Sequence, residues 1–127
     1  MSLNLQLLPG EFAACRLPPA EPLPAWAGSA VFSSVTRTAD ELSIICPAAA
    51  VPAGIKAVRS WRLLKVAGPL DFGAVGILAS ITAPLARAGI SLLAVATFDT
   101  DYVLVKTERL EEALRALEAA GHSVRRS

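Results

Sequence analysis

The stretch WRLLKVAGPLDFGAVGILASITAPLARAGISLLAVATFDTDYVLVKTERLEEALRALEAAG, Trp61 to Gly121, decides the fold. Trp61 to Val66 is a short, mainly apolar run stopped by Ala67-Gly68-Pro69, the pattern of a strand entering a turn. From Phe72 to Ala88 the apolar residues Ile77, Leu78, Ile81 and Leu85 recur at helical spacing, and Gly89 closes the helix as a C-terminal cap. Pro84 inside it removes the hydrogen bond to the Ser80 carbonyl and predicts a kinked last turn. Ile90 to Phe98 is rich in strand formers, Asp99-Thr100-Asp101 makes a tight connection, and Tyr102 to Lys106 returns as the hairpin partner. Glu108 to Ala120 carries the stripe Leu110, Leu114 and Leu117 with an i,i+4 pair of Glu111 and Arg115, and Gly121 stops it. His122 to Val124 supplies a last short strand. The order is βαββαβ, the ferredoxin-like unit of an α+β fold, with two helices on one face of a four-stranded antiparallel sheet. Leu78, Ile81, Leu85, Val95, Val103, Leu114 and Leu117 are expected in its core.

Working back toward the N-terminus, the signals are strands and turns. Leu3 to Leu8 and Phe12 to Leu17 could pair across Pro9-Gly10, and Pro18 to Pro24 is a proline-rich connector. Ala30 to Thr36 and Leu42 to Cys46 read as a hairpin turning at Ala39-Asp40. This half is strand-rich, with a helix missing or shortened.

Composition narrows the function classes. The 127 residues carry 12 Lys+Arg against 11 Asp+Glu, so the broad positive field that nucleic acid or an anionic membrane surface attracts is missing. Mean hydropathy is +0.51, yet the longest charge-free intervals, Pro22 to Thr36 and Phe72 to Ala86, are broken by Pro or Gly. Both fall short of the roughly 20 apolar residues a bilayer span needs. No basic segment precedes the first apolar residues, which argues against a signal peptide and for a cytoplasmic protein. Cys15 and Cys46 are then expected as buried thiols, without a C-x-x-C redox spacing. The lone histidine, His122, has no second imidazole for a metal site or proton relay and reads as a surface residue after a helix; neither metal nor cofactor is implied. Between Gly68 and Val105 only Asp71, Arg87, Asp99 and Asp101 are charged, so that segment is buried, whereas Lys106 to Arg126 has a solvated face.

The residues of the opening stretch resemble the ACT regulatory domains. The likeness is to small two-half ACT-like proteins related to the amino-acid-sensing domains of aspartate kinases and to the cellular arginine sensors. It rests on Gly68-Pro-Leu-Asp-Phe72, Val75-Gly-Ile-Leu78, the run LARAGIS from Leu85 to Ser91, and Thr97-Phe-Asp-Thr-Asp-Tyr-Val103. The resemblance implies an ACT domain over residues 58–127, preceded by a degenerate ACT-like half over residues 1–57. It further implies a non-catalytic regulatory protein that binds a small molecule, an amino acid, at an interface between ACT units.

Physical reasoning about the same segments gives a site for a zwitterion. A chain passing from a strand into a helix at Gly68 to Gly76 turns backbone amides outward with a partial positive charge, which suits a carboxylate. Gly76 would let a ligand approach closely; alternatively Gly73 and Gly76 let the helix lie near the sheet. Asp71 reads as the helix N-cap or as a ligand contact. The carboxylate is expected on amides between Gly73 and Leu78, with Leu70, Asp71, Gly76, Ile77 and Leu78 around it. By the resemblance, Asp101 faces the ligand's polar groups, Thr97 and Phe98 wall the pocket, and Ser91 and Leu92 reach in from the adjoining unit, here a partner subunit of a homodimer.

Other constellations are weaker. Asp99 and Asp101 flank one threonine at a water-exposed hairpin tip, and no nucleophile, histidine or metal set accompanies them. Lys56, Arg59, Arg62 and Lys65 form a basic cluster, but strand alternation sends Arg62 to the side opposite Arg59 and Lys65, which does not focus a phosphate. Aromatic residues are 6% of the chain, and Tyr102, on an outer strand of the hairpin, is no stacking platform for nucleic acid. The alternatives to an amino-acid sensor are a small ferredoxin-like enzyme, an isomerase or acyl-phosphate hydrolase, and an assembly module with an empty site.

Overall fold

The alternating and helical patterns resolve, in a computed structural model that describes residues 1–28, 31–71 and 73–127, into eight strands and two α-helices. The strands are β1 (Asn4–Leu7), β2 (Phe12–Leu17), β3 (Ser34–Arg37), β4 (Leu42–Pro47), β5 (Ala57–Val66), β6 (Leu92–Ala96), β7 (Asp101–Lys106) and β8 (Ser123–Arg126). The helices are α1 (Ile77–Arg87) and α2 (Leu110–Ala119). The chain divides into two units, Met1–Pro9 with Arg62–Ser127, and Gly10–Trp61.

In the first of these units the order β5-α1-β6-β7-α2-β8 is the βαββαβ read from the sequence. Its strands run β6-β7-β5-β1-β8, so the ferredoxin-like sheet holds an extra strand, β1, between its first and last. The expected pairing of Leu3–Leu8 with Phe12–Leu17 gives way to this arrangement. β1 lies antiparallel to β5, with Leu5 opposite Val66, and parallel to β8, with Leu5 opposite Val124. The reason is burial: Leu5 and Leu7 enter a core with Leu64, Val66, Val103 and Val105 from the sheet, Ile81 and Leu85 from α1, and Leu114 and Leu117 from α2. Each leucine so buried contributes roughly 1.5–3 kcal/mol. Both helices cover this one face. Leu78 and Val95, expected in the core, are only half-buried, because Leu78 belongs to the first turn of α1 and β6 is an edge strand. Tyr102 lies on β7, an inner strand between β5 and β6.

His122 is a second departure. Rather than lying on the surface it is 4% exposed; Nδ1 accepts the Leu3 N–H at 3.1 Å and Nε2 lies 2.8 Å from the Ser80 carbonyl. Glu111 also takes a different partner. Arg126 of β8 donates to its carboxylate at 2.7 Å, rather than Arg115, and this hydrogen bond holds the Glu111 carboxyl below the usual range.

The second unit has strand order β3-β4-β2-β5, all antiparallel, using the first half of β5. Single 3₁₀ turns, Ala25–Ala27 and Ala48–Ala50, stand where a βαββαβ unit carries its helices. Its core is correspondingly small: Ala13, Cys15 and Leu17 of β2 face Leu42, Ile44 and Cys46 of β4, with Ala27 and Val51 over them. Both cysteines are free thiols. The β3–β4 hairpin forms, with β3 starting at Ser34; Ala30, the expected start, lies outside the described residues, as does Phe72 at the expected start of α1.

Candidate ligand-binding site

The loop from β5 to α1 and the turn from β6 to β7 enclose a cleft of about 440 Å³. The turn is built by two threonines. Thr97 donates through N–H and Oγ1 to the Thr100 carbonyl at 2.8 and 3.0 Å, and the Thr100 N–H returns to Thr97 Oγ1 at 3.3 Å. The buried Thr100 Oγ1 donates to the Val66 carbonyl at 2.6 Å, and the Leu70 N–H donates to the Asp99 carbonyl at 2.7 Å. These two bonds seat the turn on the end of β5. They leave little space for a side chain at Gly68, where a Cβ would fall 3.1 Å from both the Asp99 carbonyl oxygen and Thr100 Cβ.

The other wall is the start of α1, and it lies later in the chain than periodicity suggests. The helix begins at Ile77, with Gly76 as N-cap at φ 84°, a left-handed conformation that favours glycine. Gly76 is therefore required by backbone conformation rather than by close packing, since a Cβ there would meet nothing within 4 Å. Among the described residues no side chain caps this helix. Of the two roles expected for Asp71, the cap is not the one it plays: it lies five residues before Gly76, where its Oδ1 accepts the Gly73 N–H at 3.0 Å. The first-turn donor that finds a helical partner is the Ser80 N–H, to the Gly76 carbonyl at 3.0 Å. The amides of Ile77, Leu78 and Ala79 precede it and belong to residues lining the cleft, so the positive end of the helix dipole borders the cavity.

The cleft gathers Leu70, Asp71, Gly76, Ile77, Leu78, Thr97, Phe98 and Asp101, together with Asp99. Ser91 and Leu92 are not among them. They lie at the other end of β6, where Leu92 pairs with Val105 while Ala96 pairs with Asp101, about 13 Å along the strand. Ala79, Ala96 and Thr100 also line the cleft. The alanines offer no signal in a sequence, whereas a threonine between two aspartates in a turn marks Thr100. Electrostatically the cavity pairs a helix start with the carboxylates of Asp71, Asp99 and Asp101, and no Lys, Arg or His is among its described lining residues. Such an arrangement can hold a carboxylate at one end and a cation at the other.

A ferredoxin-like sheet with a polar cleft at the start of its first helix defines a class of small α+β domain, and comparison with known proteins says which. The family model of the ACT domain matches residues 56–119, and the chain belongs to the ACT domain family. A second model, of an N-terminal domain, matches residues 10–54. Among solved structures the chain is similar to the protein Atu0741 from Agobacterium tumefaciens, 38% identical over 100% of this chain and 95% of that one, with a TM-score of 0.95. The regulatory subunit of aspartate kinase from Thermus thermophilus shares the fold, with a TM-score of 0.61 at 16% identity over 94% of this chain and 95% of that one. Subunit 1 of the human cytosolic arginine sensor for mTORC1 is 37% identical over 59 residues, 46% of this chain. Those residues span 18% of the sensor's length.

Proposed function

We propose that the protein is a non-catalytic regulatory sensor that binds an amino acid in the cleft between the start of α1 and the 97–100 turn. The observation that carries this reading is the pairing, in one cavity, of helix-start amides with the carboxylates of Asp71, Asp99 and Asp101. The ligand carboxylate meets the amides of Ile77 and Leu78; its ammonium meets Asp101. One carboxylate suffices for the ammonium of a neutral amino acid, so the others favour a cationic side chain, and the likeness to arginine sensors supports arginine first. The two hydroxyls beside Asp99 and Asp101 in the cleft, Thr97 Oγ1 and Thr100 Oγ1, donate to the carbonyls of Thr100 and Val66 and so hold the turn, which favours binding over turnover.

The site is completed by a second copy of the chain, in a homodimer. Within the chain β6 pairs only with β7 among the described residues, and Phe98 is 79% exposed at the cleft. A partner seated along β6 would cover Phe98 and bring its Ser91 and Leu92 toward the ligand. The Gly10–Trp61 unit is a degenerate ACT unit that keeps the strand order and replaces both helices by single turns. The free thiols of Cys15 and Cys46 suit a reducing, cytoplasmic setting.

Thermal unfolding with each of the twenty amino acids tests the reading. A ligand at 100 times its dissociation constant adds about 2.7 kcal/mol of stability, so a shift with arginine is expected; no shift with any amino acid leaves an assembly module. Sedimentation at micromolar concentration should give twice the 13.2 kDa of one chain.

A further inference from the structure

We propose a second binding site, for a phosphate dianion, on the face of the β5–β1–β8 sheet turned away from α1 and α2. Leu5, Leu7, Leu64 and Val66 point into the helix-covered core, so strand alternation turns Asn4, Gln6 and Lys65 to the other face. On β8, Val124 packs on that core and Arg126 reaches Glu111 of α2, which sends Ser123 and Arg125 the same way. The register then sets Lys65, Gln6 and Arg125 in one row across three strands. The next row is Ala67, Asn4 and Ser123, with the Ala67 N–H on the Asn4 carbonyl at 2.8 Å.

Ala67 and Ser123 are small, and a groove of about 400 Å³ opens over their row, lined also by Asn4, Gln6 and Arg125. Lys65 and Arg125 stand two strands apart, about 9.5 Å between backbones, on either side of Gln6. That spacing lets an ammonium and a guanidinium close on one anion from both sides. Among the described residues neither side chain makes a hydrogen bond or ion pair, whereas Arg109 and Arg126 are each matched to a glutamate. No carboxylate is among the described residues that line the groove. Two positive charges, the Asn4 amide and the Ser123 hydroxyl suit a compact dianion with several acceptor oxygens, and the guanidinium can donate to it in bidentate fashion. The Gln6 side chain, donating to Ser127 Oγ at 2.7 Å, holds the middle of the row. Strand alternation hid this site in the sequence, because the second cation comes from a strand sixty residues away.

The test is an amide-resolved NMR titration of the full chain with inorganic phosphate and, separately, glycerol phosphate, at constant ionic strength made up with chloride. Saturable shifts are expected at the amides of Ala67, Ser123 and Arg125, with affinity weakened at least about tenfold in Arg125→Gln and in Lys65→Gln. Part of the loss should be recovered in Arg125→Lys. Binding of the monoester at least as tight as the free ion identifies a phosphorylated small molecule as the ligand; binding of the ion alone identifies free phosphate. Shifts that do not saturate, that chloride reproduces, or that persist unchanged in both glutamine variants would overturn the proposal.

Discussion

His122 Nε2 lies 2.8 Å from the carbonyl oxygen of Ser80, the oxygen that Pro84, having no N–H, leaves without its helical donor. Because Nδ1 accepts the Leu3 N–H, the ring proton sits on Nε2 and donates to Ser80. One side chain thus ties β1 and α1 together and replaces the hydrogen bond that the proline removes.

Replacing His122 with Phe should therefore destabilise the protein by about 1–3 kcal/mol, the cost of leaving buried polar groups unmatched. Restoring a backbone donor with Pro84→Ala should reduce that loss. In a denaturant double-mutant cycle the two substitutions are expected to couple by about 1 kcal/mol; strict additivity would show that His122 does not serve the Ser80 carbonyl.

The two glycines of the site should respond differently to alanine. Gly68→Ala forces a methyl group against the Asp99 carbonyl and Thr100 Cβ, both 3.1 Å away, and should cost about 1–3 kcal/mol while weakening ligand binding by displacing the turn. Gly76→Ala meets open space and pays only for its φ of 84°, about 1–2 kcal/mol. Gly76→Asn should be milder still, since asparagine tolerates that conformation. Unfolding curves for the three variants check the order.

Burial pushes both thiols up, Cys46 to about 11 with the neighbouring Cys15 adding to the effect and Arg59 opposing it. A group whose folded pKa lies above its unfolded value of 9.0 stabilises the protein below pH 9, and that contribution is lost as pH rises toward 11. Unfolding free energy should fall across this window, and Cys46→Ala should make the fall shallower although it lowers stability at neutral pH. Native protein at pH 8 should resist thiol alkylation and react only when unfolded.

The C-terminal unit was legible because its core stripes are regular: Ile81, Leu85, Leu114 and Leu117 sit where helical spacing puts them. Propensity could not place β1, since a run such as Leu3–Leu8 fits either a hairpin or an inserted strand, and only the competition for the larger core decides. His122 was misread because a single polar residue carries no periodicity; its burial depends on a carbonyl that Pro84 frees in a different element. Of the candidate site residues, Leu70, Asp71, Gly76, Ile77, Leu78, Thr97, Phe98 and Asp101 line one cleft, and Ser91 and Leu92 lie away from it. The role of Gly76 required its backbone angle, and Asp71 is not the cap because the helix begins six residues beyond it, at Ile77.

Whether the cleft holds an amino acid is decided by calorimetric titration of arginine into the unaltered protein and the Asp101→Asn variant, after circular dichroism has verified folding. Binding to the unaltered protein should saturate and should weaken by about 1.5–3 kcal/mol when the charged partner of the ammonium is removed. No binding of arginine or any other amino acid, or an affinity that Asp101→Asn leaves unchanged, would mean that this cleft is not an amino-acid site.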